Sequence, residues 1–212
     1  MNTESLKEKS IGIFDSGIGG LTVAKEIIKH LPYENIVYLG DTARVPYGTK
    51  SRETVIKYAE SNSRFLLSKG IKLLVVACNT ASAYAIKALE AQLTIPVVGV
   101  IRPGAKKAVE STKNGRIGVI GTPSTIKSNA YPKVINKINP DITVFSKACP
   151  LFVPLAEEGW LQNDIARNVA LEYLSELKKF DIDTLILGCT HYPLLKETIG
   201  EVIGKDVVLI DS

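Results

Sequence analysis

The 212-residue chain carries 26 Lys and Arg against 22 Asp and Glu, with 45% hydrophobic and 23% charged residues. That is the balance of a globular protein long enough for one large core or two small ones. No apolar run reaches the ~18 residues of a membrane span, and the polar segment 1–10 lacks the apolar core of a secretory signal. The lysines are scattered, so the net charge of +4 reads as solvated surface. The densest basic stretch, Arg102 to Arg116 with Lys106, Lys107 and Lys113, reads as a wet helix face rather than a nucleic-acid patch. Three cysteines, an odd number in apolar contexts, fit free thiols in the cytoplasm better than a disulfide framework.

In chain order, Ile11-Gly12-Ile13-Phe14 predicts a short buried strand that ends at Asp15-Ser16-Gly17-Ile18-Gly19-Gly20. A helix follows with Leu21, Ala24, Ile27, Ile28 and Leu31 on one face and Pro32 closing it. The spacing fails a dinucleotide fingerprint, which would need glycine where Thr22 stands. These glycines are expected to let the backbone approach a small anion. Ile36 to Gly40 is the second strand, leading into Asp41-Thr42-Ala43-Arg44-Val45-Pro46-Tyr47-Gly48, a loop too rich in specific polar groups for a plain connector. Residues Ser51 to Lys69 predict a helix with Val55, Ala59, Asn62 and Phe65 on one face and Gly70 as its stop.

The next stretch organises the chain. Leu73 to Ala77 is an unbroken apolar run that ends at Cys78 and turns into Asn79-Thr80-Ala81, residues suited to a helix start. Such a strand delivers a thiol to the C-terminal edge of a sheet, where the following helix's free N–H groups can stabilise a thiolate. The pattern returns 111 positions on, where Thr184 to Gly188 leads into Cys189-Thr190-His191-Tyr192-Pro193. Other strands echo too: Ile117 to Thr122 repeats Ile11 to Ser16, Thr143 to Ser146 repeats Val37 and its neighbours, and Val207 to Ile210 repeats Val97 to Val100. Slowly drifting offsets of this kind indicate a duplicated unit. The expected fold is α/β: two pseudo-symmetric parallel-sheet domains, residues 1–101 and 102–212, with the active site in the cleft between them. Pro103, Pro123 and Pro193 fit helix starts.

Several chemistries compete for the two thiols. Free cysteine is often simply buried packing. Zinc could draw on Cys78, Cys149, Cys189 and His191, but no chelating spacing supports it. A phosphatase-like thiolate would want an arginine in the loop after Cys78, where Ala83 and Tyr84 stand. Acyl chemistry needs one cysteine and leaves its twin unexplained. Inverting a proton-bearing carbon uses both, because a base on each face can remove one proton and return another. Asp15 at a strand end and His191 beside the second cysteine are the candidate proton helpers.

The motifs Phe14-Asp15-Ser16-Gly17-Ile18-Gly19-Gly20, Gly40 to Gly48, Ala77-Cys78-Asn79-Thr80-Ala81, Leu155-Ala156-Glu157-Glu158-Gly159 and Gly188 to Pro193 together resemble the glutamate racemases of the aspartate/glutamate racemase superfamily. The resemblance runs from Ile11 to Ser212. It implies a cofactor-independent and metal-independent isomerase that interconverts L- and D-glutamate with Cys78 and Cys189 as its two bases. Asp15, Glu157 and His191 would assist, and Ser16, Tyr47, Gly48, Asn79, Thr80 and Thr190, with Asp15 and His191, would hold the substrate. The implied setting is the cytoplasm, supplying D-glutamate for peptidoglycan, with no nucleic-acid or membrane partner and a second copy of the chain as a candidate one. A C-terminal tail typical of the family is expected to be absent here. Alternatives left open are an aspartate or other amino-acid racemase, and a non-catalytic glutamate-binding protein. Outside the resemblance, Glu157 and Glu158 read as a solvated helix turn, and Cys149 reads as core packing.

Overall fold

The computed structural model describes residue 6 and residues 8–211. The chain divides into two compact units, Met1–Val100 and Ile101–Ser212. In the first, strands β1 (Ser10–Asp15), β2 (Ile36–Gly40), β3 (Ile71–Val76) and β4 (Val97–Gly99) form a parallel sheet in the order β2-β1-β3-β4. Strands β5 (Arg116–Gly121), β6 (Thr143–Ala148), β7 (Thr184–Gly188) and β8 (Val208–Asp211) repeat that order as β6-β5-β7-β8, again all parallel. The strand echoes in the sequence therefore correspond one to one with matched positions in two sheets of the same topology.

Parallel strands need crossover helices on the sheet faces, so their central members are buried on both sides and read as continuous apolar runs. That is why β1, β3, β5 and β7 stand out in the sequence, whereas the edge strands β2, β4, β6 and β8 are only partly buried. In the first unit, helices α2 (Arg52–Leu67) and α3 (Asn79–Gln92) cover one face through Val55, Ala59, Leu66, Ala81, Ala85 and Leu89, packed on Phe14, Leu74 and Val76. Helix α1 (Leu21–His30) covers the other through Ala24, Val23 and Ile27 against Ile11, Ile13, Val75 and Ala77. In the second unit, α4 (Ile101–Ser111) lies along β7 and β8 and against α6 (Ala130–Ile138), while α5 (Pro123–Lys127) follows β5 directly. Helices α7 (Phe152–Glu157), α8 (Asp164–Lys178) and α9 (Lys196–Ile203) build a core with Ile120, Leu185 and Leu187.

Both sheet orders place a switch point between the first and third strands of the unit, where the chain leaves in opposite directions. In open α/β sheets that crevice, outside the carboxyl ends of the strands, is where ligands bind. Asp15 ends β1 and Cys78 follows β3 at one switch point. Thr122 follows β5 and Cys189 follows β7 at the other.

Two helix faces differ from the sequence expectation. On α1, Ala24 is buried but Leu21, Ile28 and Leu31 are exposed, because the apolar stripe is wider than the contact the helix makes with its sheet. On α2, Leu66 is buried and Phe65 is exposed, where its ring meets the Lys69 ammonium. Helical geometry explains the swap. At about 100° per residue, Leu66 falls about 20° from Val55 around the axis, while Phe65 falls about 80° away. Replacing Leu66 with Ala should therefore cost about 2–5 kcal/mol, and replacing Phe65 with Ala about 1 kcal/mol or less. Urea denaturation measures both, and equal losses would contradict the assignment of the buried face.

Candidate active site

The end of β1 is built around a buried carboxylate. Asp15 is fully buried, and its Oδ2 accepts hydrogen bonds from the main-chain N–H groups of Gly17 and Gly20, each at 3.0 Å. A Cβ on Gly20 would lie 2.4 Å from that of Asp15, so no other residue fits there without moving the carboxylate. The small anion that the glycine-rich turn cradles is thus the chain's own Asp15. Tyr38 secures the same turn by donating from Oη to the Gly17 carbonyl at 2.8 Å.

Cys78 stands at the N-cap of α3 in extended conformation and is 5% exposed. Asn79 and Thr80 open the helix, and both are buried. The sequence led us to expect a thiol lowered by the helix N-terminus. The balance goes the other way: burial first and the neighbouring Asp15 carboxylate second push the thiol up to about 11, against the opposing pull of the Ala81 N–H, the Ser16 hydroxyl and the Thr80 N–H. A desolvated thiol beside a negative charge is stabilised in its protonated form. The first unit therefore gathers Asp15, Ser16, Cys78, Asn79 and Thr80 at one switch point, with the thiol in its proton-donating form.

Tyr47 and Gly48 lie in a short 3₁₀ turn, Tyr47–Thr49, that packs against α3 and follows a cis Val45–Pro46 peptide. Both residues are buried. The Tyr47 hydroxyl is committed within the protein: it donates to Asp41 Oδ2 and accepts from Asn62 Nδ2 at 3.0 Å. Burial, and then the Asp41 hydrogen bond, push the phenol well above its ordinary value. What this turn offers a ligand is main chain rather than the Tyr47 hydroxyl.

In the second unit Cys189 is 6% exposed, and Thr190 and His191 are 3% exposed each. Here no α-helix starts at the thiol. Pro193 falls inside a 3₁₀ turn, Tyr192–Leu195, before α9 begins, so the two thiols have different main-chain surroundings. His191 supplies the difference. Its Nδ1 lies 3.8 Å from Cys189 Sγ, and its Nε2 lies 3.2 Å from Glu157 Oε1, within ion-pair distance but without hydrogen-bond alignment. Glu157, the last residue of α7, is partly open to solvent. This contact spans two separate elements and could not be read from local spacing. Cys149 is fully buried, its thiol is pushed well up by burial, and its carbonyl accepts from the Tyr192 hydroxyl at 2.8 Å, all consistent with packing. Among the described residues, no group of three or more His, Cys, Asp or Glu could hold a metal ion, and no helix is long and apolar enough to cross a membrane.

Sequence reading missed two features. One is the hydroxyl cluster after β5, where Thr122 and Thr125 lie with their Oγ1 atoms 3.0 Å apart. The repeat held the clue, since Thr122 stands where Ser16 stands in the first half. The other is the contact between Asn62 and the Asp41 to Tyr47 loop, which a polar residue on the buried stripe of α2 foreshadowed.

The family model described as Asp/Glu/Hydantoin racemase matches residues 20–212. A curated glutamate racemase from Geobacter metallireducens is 63% identical over 96% of this chain and 76% of its own length. The chain belongs to the Asp/Glu/Hydantoin racemase family, among its glutamate racemases. The crystal structure of glutamate racemase isoform RacE1 from Bacillus anthracis superposes with a TM-score of 0.94 at 48% identity, covering 97% of this chain and 77% of that one. A glutamate racemase from Francisella tularensis, solved in complex with D-glutamate, gives a TM-score of 0.91 at 48% identity over 97% and 76% of the two chains. Family membership makes this chain an isomerase.

The Asp15–Cys78 pair generates a direct test. Replacing Asp15 with Asn removes the nearby negative charge and should lower the pH midpoint for alkylation of Cys78 by iodoacetamide, followed by mass spectrometry in a Cys189→Ala background. A midpoint that stays put or rises would show that Asp15 does not hold the thiol proton.

Proposed function

We propose that this chain interconverts L- and D-glutamate by a two-base mechanism with Cys78 and Cys189 as the bases and no cofactor. The observation that carries this reading is the pair of buried thiols at equivalent strand ends of two sheets with the same order, β2-β1-β3-β4 and β6-β5-β7-β8. The identity of 63% to a glutamate racemase supports glutamate over aspartate as substrate. The complex of the Francisella tularensis relative with D-glutamate supports the same choice.

The chemistry is a relay of single protons. The Cys189 thiolate takes the α-proton of L-glutamate, the electron pair passes to carbon, and Cys78 returns its own proton to the opposite face, leaving D-glutamate, a Cys189 thiol and a Cys78 thiolate. The reverse reaction starts from that second state. A Cys78 thiol raised to about 11 suits the donor role toward the L isomer. Its thiolate is the state in which the substrate's ammonium group would offset the Asp15 charge. Glu157 beside Nε2 favours the His191 tautomer that turns an unprotonated Nδ1 toward Cys189, so that imidazole can carry the proton of that thiol. Asp15 would assist Cys78 differently, its charge holding the proton on that thiol. The N–H groups that open α3 at Asn79 and Thr80, the Ser16 and Thr190 hydroxyls and the main chain of Tyr47 and Gly48 would hold the carboxylates. The product fits a cytoplasmic supply of D-glutamate for peptidoglycan, with a homodimer as the candidate assembly.

Isotope labelling tests the scheme. In heavy water each thiol equilibrates with deuterium before it donates, so D-glutamate formed in the first turnovers from L-glutamate should carry deuterium at the α-carbon. Unreacted L-glutamate should stay largely protonated over that period. Mass spectrometry of the separated isomers decides it: deuterium entering L-glutamate as fast as D-glutamate forms would overturn the two-base reading.

A further inference from the structure

Asn62 is a polar residue on the apolar stripe of α2, 2% exposed between Ala59 and Leu66. A buried amide is costly unless its hydrogen bonds are made, and here both ends are engaged. Nδ2 donates to Tyr47 Oη at 3.0 Å and lies 3.4 Å from Asp41 Oδ2, while Oδ1 accepts from Arg44 Nη2 at 2.6 Å. Arg44 Nε in turn donates to Asp41 Oδ1 at 2.9 Å, and Asp41 Oδ2 accepts the Tyr47 hydroxyl. The Arg44 guanidinium also sits 4.7 Å over the ring of Tyr58, which packs at 5.4 Å against Tyr47. Four side chains, three from the loop and one from α2, thus close into a ring of hydrogen bonds in which all but the Asn62–Tyr47 link involve an ionised partner. The Tyr47–Thr49 turn leaves directly from that ring.

We infer that Asn62 and Arg44 are positioning residues for substrate binding: their ring with Asp41 and Tyr47 fixes the turn so that the main chain of Tyr47 and Gly48 is held ready for a carboxylate of glutamate. The inference rests on the reading above that Tyr47 and Gly48 hold the substrate. Neither Asn62 nor Arg44 need touch the reacting atoms. Their loss should weaken binding while leaving proton transfer between carbon and sulfur nearly intact, because the thiols stand on other elements. A ring that served stability alone would leave substrate affinity unchanged.

Steady-state kinetics on the full chain separate the two roles. Asn62→Ala should raise KM for glutamate about tenfold in both directions, the effect of losing a buried hydrogen bond, with kcat within about threefold. Arg44→Lys is the second variant, at a side chain 32% exposed where folding is not at risk. A single ammonium cannot reproduce the planar fork that reaches Asp41 and Asn62 together, so KM should rise about threefold to tenfold. Ser63→Ala is the control: Ser63 is equally buried on α2 but bonds to Ala59 within the helix at 2.7 Å, so the variant should lower the melting temperature and leave KM unchanged. Wild-type KM in Arg44→Lys, or in a folded Asn62→Ala, would overturn the inference. A wild-type chain that fails to racemise glutamate would instead overturn the reading beneath it. Calorimetric binding of D-glutamate then decides the inference itself, since weaker binding to Arg44→Lys than to wild type supports it and equal or absent binding refutes it.

Discussion

A carboxylate and a thiol buried at the ends of two adjacent central strands, β1 and β3, set the constraint on which the first unit depends. Asp15 cannot be taken out of water without donors, and the chain supplies them from the main chain of Gly17 and Gly20. That arrangement requires glycine at position 20 and brings the turn close enough for Gly17 to accept from Tyr38. The same carboxylate, added to burial, keeps the Cys78 proton in place. A glycine-rich loop suited to approaching a small anion is in fact the mounting of an internal charge.

The duplication preserved the scaffold and not the mounting. Both sheets have the same strand order, and both thiols follow the third strand of their unit. Yet β5 ends at Gly121, followed by Thr122, where β1 ends at Asp15, followed by Ser16, so the second thiol has no carboxylate at the matching place. Its neighbour is His191, backed by Glu157 from α7. Matched scaffolds put two thiols at equivalent edges and give them unlike neighbours, Asp15 for Cys78 and His191 for Cys189. A reversible reaction between mirror-image substrates needs no more symmetry than that, because its two half-reactions already begin from opposite protonation states.

Much of this was legible in the sequence because parallel central strands are apolar throughout and end abruptly at polar residues. Leu73 to Cys78 and Thr184 to Cys189 announce both the strands and the thiols. Helix faces were less secure. The choice between Phe65 and Leu66 turns on a fraction of a helical turn, and the width of the stripe on α1 depends on how much of it the sheet can cover. Long-range polar contacts were the least legible. Local spacing brings neither Glu157 to His191 nor Asn62 to Tyr47, and the direction of the Cys78 shift depends on burial that no motif expresses. Glu157 is named only by family resemblance, and Asn62 only as one member of the face shared by Val55 and Ala59.

The central claim is that two strand-end thiols, one in each unit, perform one reaction. The most direct measurement is racemisation in each direction, followed by circular dichroism, for Cys78→Ala and Cys189→Ala at unchanged thermal stability. Loss of a general base or acid costs typically about 10²–10⁴-fold, so each single replacement should bring both directions down by at least about that much. Either variant retaining more than about a tenth of wild-type activity in one direction, well outside that range, would contradict the account.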